Sequence, residues 1–199
     1  MNYLAHAYLS FGIPEITVGN LISDFVKGKK KLDYPTTIQK GIALHRAIDT
    51  FTDSHEVTRK AKACFRDAYR LYAGPLVDVV YDHFLANDPL IFPQEELKAF
   101  AQKTYEQIAA SSTFLPDNFA RIFQYMRSQD WLYHYRYKQG ILNSFAGLAR
   151  RAAYMGSPEM AGLLFEEHYE ALGACYEEFF PALKDFALRT LQQLQGRAG

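Results

Sequence analysis

Three stretches of the 199-residue chain place metal-competent polar residues four apart in otherwise apolar, helix-like surroundings. They are Asn20-Leu-Ile-Ser-Asp24, His45-Arg-Ala-Ile-Asp49 and Asp78-Val-Val-Tyr-Asp82-His83. Four residues along an α-helix is a rotation of roughly 40° and a rise of about 6 Å, so both side chains of a pair share one face. A carboxylate or imidazole on a buried face loses its hydration and needs a compensating partner. One such pair is common; three suggest that several helices aim ligands at one point.

On spacing alone, Asp78, Asp82 and His83 rank first. Two carboxylates on one apolar face repel, and a divalent cation is an ordinary way to hold them together. His45 and Asp49 follow, because Ile42, Leu44, Ile48 and Phe51 argue that their helix is buried. Asp24 ends an apolar helix and, taken alone, reads as readily as surface. His6 pairs with Asn2, and a core imidazole bonded to an amide suits it as well as a ligand. Asp53 and His55 read as helix capping, and His134 and His168 as surface residues. Imidazole with carboxylate suits Mn²⁺, Fe²⁺, Zn²⁺ or Mg²⁺, mixed N/O ligation favouring a transition metal. Such an ion lowers the pKa of a bound water and clamps phosphoryl oxygens, so the natural chemistry is phosphate-ester hydrolysis. Arg46, beside His45, is a candidate to stabilise charge on the phosphoryl group. Lys27, Lys29, Lys30 and Lys31 begin three residues after Asp24; they form either a solvated loop or a docking patch for an acidic partner.

The elements that must position these residues are helical. Apolar residues recur at helical spacing, and strand-like alternation is hard to find. The expected helices cover about 2–9, 14–27, 36–52, 53–71 (capped at Asp53), 76–87, 93–110, 116–128, 139–154 and 158–193. The last is expected to bend near Gly173 or Pro181. Ala73-Gly-Pro75 is expected to break the chain. No repeat or linker divides residues 1–199, so the expected fold is a single-domain, all-α helical bundle. Acidic and basic residues balance at 22 each, which gives no general case for nucleic-acid binding. No apolar stretch approaches the ~20 residues of a membrane helix, and the N-terminus does not read as a signal peptide. Cys64 and Cys175 read as free thiols of a reducing compartment, and a cytoplasmic location is expected.

Taken together, these stretches resemble the acyl-carrier-protein phosphodiesterase family, also called ACP hydrolase. The resemblance is carried by Met-Asn-Tyr-Leu-Ala-His6, Val18-Gly-Asn-Leu-Ile-Ser-Asp24-Phe, Gly41-Ile-Ala-Leu-His45-Arg-Ala-Ile-Asp49-Thr-Phe-Thr-Asp53-Ser-His55 and Asp78-Val-Val-Tyr-Asp82-His83-Phe-Leu-Ala. A weaker echo continues through Trp131, Tyr135, Gly140-Ile141 and Arg150-Arg151. The resemblance implies an all-α fold distantly akin to HD-domain phosphohydrolases. It also implies Mn²⁺-dependent removal of 4′-phosphopantetheine from holo-acyl-carrier protein to give apo-protein.

On this reading Asp24 matches an Asp essential in the family and moves to the centre. The expected catalytic residues are Asp24, Arg46 and His45. The expected metal ligands are Asp24, His45, Asp49, Asp82 and His83, supported by His6, Asn20 and Asp78. Lys27 and Lys29 to Lys31 become the landing site of acidic acyl carrier protein. The third motif reads Asp-His rather than the His-Asp of HD enzymes, so HD ligand roles do not transfer directly. Two other readings compete: a phosphohydrolase of nucleotides or other small phosphodiesters, and a non-catalytic helical binding module.

Overall fold

The structure is a computed structural model that describes residues 1–152 and 154–196. Among them there are eleven α-helices and no strand, which agrees with the expected all-α bundle. The helices are α1 (Tyr3–Tyr8), α2 (Pro14–Ile22), α3 (Thr36–Ser54), α4 (Glu56–Tyr69), α5 (Ala73–Ala86) and α6 (Glu96–Ala110). They continue as α7 (Asp117–Ser128), α8 (Trp131–His134), α9 (Lys138–Arg151), α10 (Pro158–Glu167) and α11 (Tyr169–Gly196). Two 3₁₀ segments, Ser23–Phe25 and Gly28–Asp33, lead from α2 towards α3. One contiguous apolar core joins them, and each helix contributes a stripe to it; on α4 that stripe is Val57, Ala61, Phe65 and Tyr69. No helix among the described residues is long and apolar enough to cross a membrane.

The contact between α2 and α3 decides where the site lies. A Cβ on Gly19 would stand 2.1 Å from the Ile38 carbonyl oxygen and 2.9 Å from Gly41 Cα. One on Gly41 would stand 2.4 Å from the Ile16 carbonyl oxygen. The two helices therefore meet backbone to backbone, and glycine is required at both positions. This draws the end of α2, with Asn20 and the following Asp24, against His45 of α3.

Several element boundaries differ from expectation. α2 stops at Ile22, and Asp24 stands in a 3₁₀ turn rather than one helical turn beyond Asn20. α3 runs through Asp53 to Ser54, and the α4 cap is His55, whose Nδ1 accepts from the Val57 N–H at 3.3 Å. Ala73-Gly-Pro75 opens α5 rather than breaking the chain, since a proline in a helix's first turn forfeits no intrahelical bond. The C-terminal segment divides at His168; Gly173 and Pro181 lie inside α11.

Candidate metal centre

His6 is the best defined of the polar residues. The Asn20 amide donates through Nδ2 to the His6 carbonyl at 2.9 Å and to Ser10 Oγ at 3.1 Å. Those two bonds fix the amide, so its Oδ1 faces His6 Nδ1 at 2.7 Å as an acceptor. The neutral ring must carry its proton on Nδ1, leaving the lone pair on Nε2. That Nε2 is buried without a hydrogen-bond partner and lies 3.2 Å from Asp49 Oδ1. A lone pair facing a carboxylate is unfavourable unless a cation or proton stands between them. Burial and the neighbouring His45 charge lower the His6 pKa to about 4, so at neutral pH the ring supplies no proton of its own.

His45 completes the cluster. Its ring stacks on His6 with centroids 4.0 Å apart and 16° between planes. His45 Nε2 lies 3.1 Å from Asp24 Oδ1 and 3.0 Å from Asp49 Oδ2. Burial depresses the His45 pKa, but the two carboxylates outweigh it and raise it to about 9. Burial pushes Asp49 up, but its hydrogen bond from His45 and the charge of the nearby Met1 amino group pull it further down, so it stays ionised. Asp24 is lowered first by its hydrogen bond with His45, and its side chain is 75% exposed.

Ligand atoms of His6, His45 and Asp49 all lie within 4.8 Å of one another. Bonds of about 2.0–2.2 Å to nitrogen and oxygen let one cation reach such a set. The remote nitrogen of His6 is already held by an amide oxygen, the kind of outer contact that orients a ligating imidazole. The donor set therefore fits a divalent cation, and three protein ligands leave coordination positions open, as catalytic sites require. The cluster opens on a cavity of 420 Å³ lined by His6, Asn20, Asp24, His45 and Asp78, and also by Tyr3 and Arg151.

The structure does not bring Asp82 and His83 to this cluster. Asp82, fully buried, accepts from the backbone N–H groups of Leu4 at 2.7 Å and Ala5 at 3.1 Å. It thereby satisfies the start of α1, and its two oxygens are engaged there rather than in the cluster. His83 faces the other way on α5, with Nδ1 2.8 Å from the Tyr135 carbonyl and Nε2 3.0 Å from the Tyr169 hydroxyl. Asp78 takes its counter-charge from the Met1 amino group. Its Oδ1 lies 3.0 Å from the Met1 α-amino group, which also approaches Asp49 Oδ1 at 3.4 Å.

Arg46 also departs from expectation. Its Nη2 donates to the Val26 carbonyl at 2.9 Å and so ties down the turn that carries Asp24. His6, expected only as a support, joins the ligand cluster, and the guanidinium that lines the cavity belongs to Arg151. Lys27, Lys29, Lys30 and Lys31 are exposed on and beside the 3₁₀ segment following Asp24. The sequence carried a signal for His6 in its position within the opening motif, and for Arg151 in the Arg150-Arg151 pair. The Met1 amino group has no residue-type signature.

Fold and site together define a helical protein with a cluster of two histidines and one carboxylate that could hold a divalent cation beside a cavity. Residues 1–183 match the family of acyl carrier protein phosphodiesterases. The chain is 33% identical, over 95% of its length and 98% of theirs, to proteins named acyl carrier protein phosphodiesterase from Salmonella agona (strain SL483) and Salmonella enteritidis PT4. It belongs to the acyl carrier protein phosphodiesterase family. No solved structure matches it.

Proposed function

We propose that this chain is a metal-dependent phosphodiesterase that cleaves 4′-phosphopantetheine from holo-acyl-carrier protein in the cytoplasm, with Mn²⁺ as the favoured ion. The observation that carries the metal half is the buried His6 Nε2 lone pair facing the Asp49 carboxylate beside His45. A cation bound at that atom would accept the lone pair and neutralise the facing carboxylate. The substrate half rests on membership of the family and on the names of its relatives.

Held by His6, His45 and Asp49, a divalent cation would polarise a phosphoryl oxygen and acidify a water. The protein's own groups do the rest. Asn20 fixes the His6 tautomer, and Arg46 holds the turn that presents Asp24. Asp24, ionised and exposed at the cavity, is placed to accept a proton from the attacking water. The exposed lysines from Lys27 to Lys31 give an acidic carrier protein a surface on which to land beside Asp24.

Mass spectrometry of holo-acyl-carrier protein incubated with the protein and Mn²⁺ tests this reading. We expect loss of the phosphopantetheine mass with the intact protein and its retention with Asp24→Ala. Activity on nucleotide phosphodiesters with none on holo-acyl-carrier protein would overturn it.

A further inference from the structure

A second cavity, of 750 Å³, adjoins the first and shares with it Asn2, Tyr3, Val79, Leu148 and Arg151. Its outer walls come from the α7–α8 corner and from α9. The volume falls within the range of small-molecule pockets, about 300–1,000 Å³. None of the polar residues of the three motifs lines it, and the hydrolytic residues of the proposed mechanism make no use of it.

The chemistry of its walls is specific in kind. Trp131, Val79, Leu148 and Ala146 offer apolar surface, while Asn143 and His134 interleave polar groups. Asn143 Oδ1 already accepts from Gln139 Nε2 at 3.2 Å, so what its amide can offer a ligand is its N–H groups. His134 Nδ1 is engaged with the Asp130 carbonyl at 2.9 Å, so its Nε2 remains as an acceptor for a ligand N–H. Arg151 stands where the two cavities meet, within electrostatic reach of the Tyr3 hydroxyl. A ligand suited to these walls is an extended chain with amides and methyl groups, carrying an anion at the Arg151 end.

We propose that this second cavity seats the pantetheine arm of the substrate, and that Arg151 holds its phosphate at the junction with the metal centre. The proposal rests on the phosphopantetheine reading above. It gives the two halves of the phosphodiester separate exits. The carrier protein leaves past Asp24 and Phe25, which line only the first cavity, towards the lysines; the arm runs past Leu148 towards Trp131. Arg151 can hold the phosphate through paired N–H donors, a geometry lysine cannot reproduce.

The walls also provide a test. Trp131 is the chain's single tryptophan, so intrinsic fluorescence reports occupancy of this cavity without any turnover. Gly147 lines the cavity within α9, and a Cβ there would meet only Arg150 Nη2, at 3.8 Å. A first side-chain atom at 147 therefore meets no backbone, and larger side chains at this lining position are expected to fill the cavity. Metal-free protein is titrated with 4′-phosphopantetheine, pantetheine and inorganic phosphate. We expect the first two to shift Trp131 emission and phosphate alone not to.

Gly147→Ala, Gly147→Leu and Gly147→Phe should weaken phosphopantetheine binding progressively, reaching at least tenfold in the last, with folding checked by circular dichroism. Arg151→Ala should weaken phosphopantetheine at least tenfold while changing pantetheine less than threefold, and Arg151→Lys should restore only part of the loss. Unchanged Trp131 emission with both arm-bearing ligands, or binding indifferent to Gly147→Phe and Arg151→Ala, overturns the proposal. Binding that behaves as expected in a protein that fails to cleave holo-acyl-carrier protein would uphold the cavity and reject the proposed reaction.

Discussion

Adding a divalent cation to the metal-free protein at pH 7 should release close to one proton, and the structure says which one. A ligating imidazole must be neutral. His45, held at about 9 by Asp24 and Asp49, is protonated at pH 7 in about 99% of molecules. His6, at about 4, is neutral in all but about 0.1%. Asp49 is ionised throughout and contributes nothing. Two pH units separate the His45 value from neutrality, so displacing its proton costs about 2.7 kcal/mol, or about a hundredfold in apparent affinity at pH 7. Affinity should therefore rise about tenfold per pH unit between about 4 and 9. It should rise more steeply below 4, where His6 also carries a proton, and level off above 9. Titration calorimetry with Mn²⁺ in buffers of differing ionisation enthalpy reads the proton number directly. Zero release at pH 7, or release of one proton that persists in His45→Gln, would refute the assignment.

Four further outcomes follow from the same geometry. Asp24→Asn removes the strongest contact raising the His45 pKa, so fewer protons should be released at pH 7, while kcat on holo-acyl-carrier protein falls by about 10²–10⁴ if Asp24 is the base; a loss of Mn²⁺ affinity beyond tenfold would make it a ligand instead. Asp82→Ala strands two buried N–H donors and should cost about 2–5 kcal/mol in urea denaturation, whereas the folded fraction of Asp82→Asn should still bind Mn²⁺ with His6, His45 and Asp49 in place. Gly19→Ala or Gly41→Ala should lower stability by about 1–3 kcal/mol or more and depress activity with it, because no side chain can yield at a backbone contact; wild-type melting of either would show that the helices separate at little cost. Replacing Lys27, Lys29, Lys30 and Lys31 by alanine should raise KM for holo-acyl-carrier protein, most at low salt, and have far less effect on a small phosphodiester.

The helical fold was legible because apolar residues recur at helical spacing throughout, and the His45/Asp49 pair survives intact because α3 is a regular helix beneath both residues. The Asn20/Asp24 pair survives for a different reason from the one its spacing suggests. The helix ends between the two residues, and a 3₁₀ turn delivers Asp24 to His45 while Asn20 serves His6. Spacing ranked Asp78, Asp82 and His83 first because charge on an apolar helix needs compensation. That compensation exists, but it comes from backbone N–H groups, an α-amino group, a carbonyl and a hydroxyl, none of which a side-chain pattern displays. An imidazole bonded to an amide was likewise expected at His6, with the amide coming from Asn20 rather than Asn2. Arg151 was legible only as one of a basic pair, since its place at the cavity depends on how α9 packs against α5.

The hydrogen bonds from Leu4 and Ala5 to Asp82 also bear on the order in which the chain can mature. Asp82 lies 78 and 77 positions downstream of its two donors, so α1 lacks its anchor while the early chain is being synthesised. Asn20 can hold the His6 ring beside His45 and Asp49 before α5 emerges, but the start of α1 is then without its buried acceptor. A nascent chain that ends before α5 thus presents His6 from an unanchored α1 and should hold the ion weakly. Full affinity for the ion should then be reached only once the fifth helix has docked.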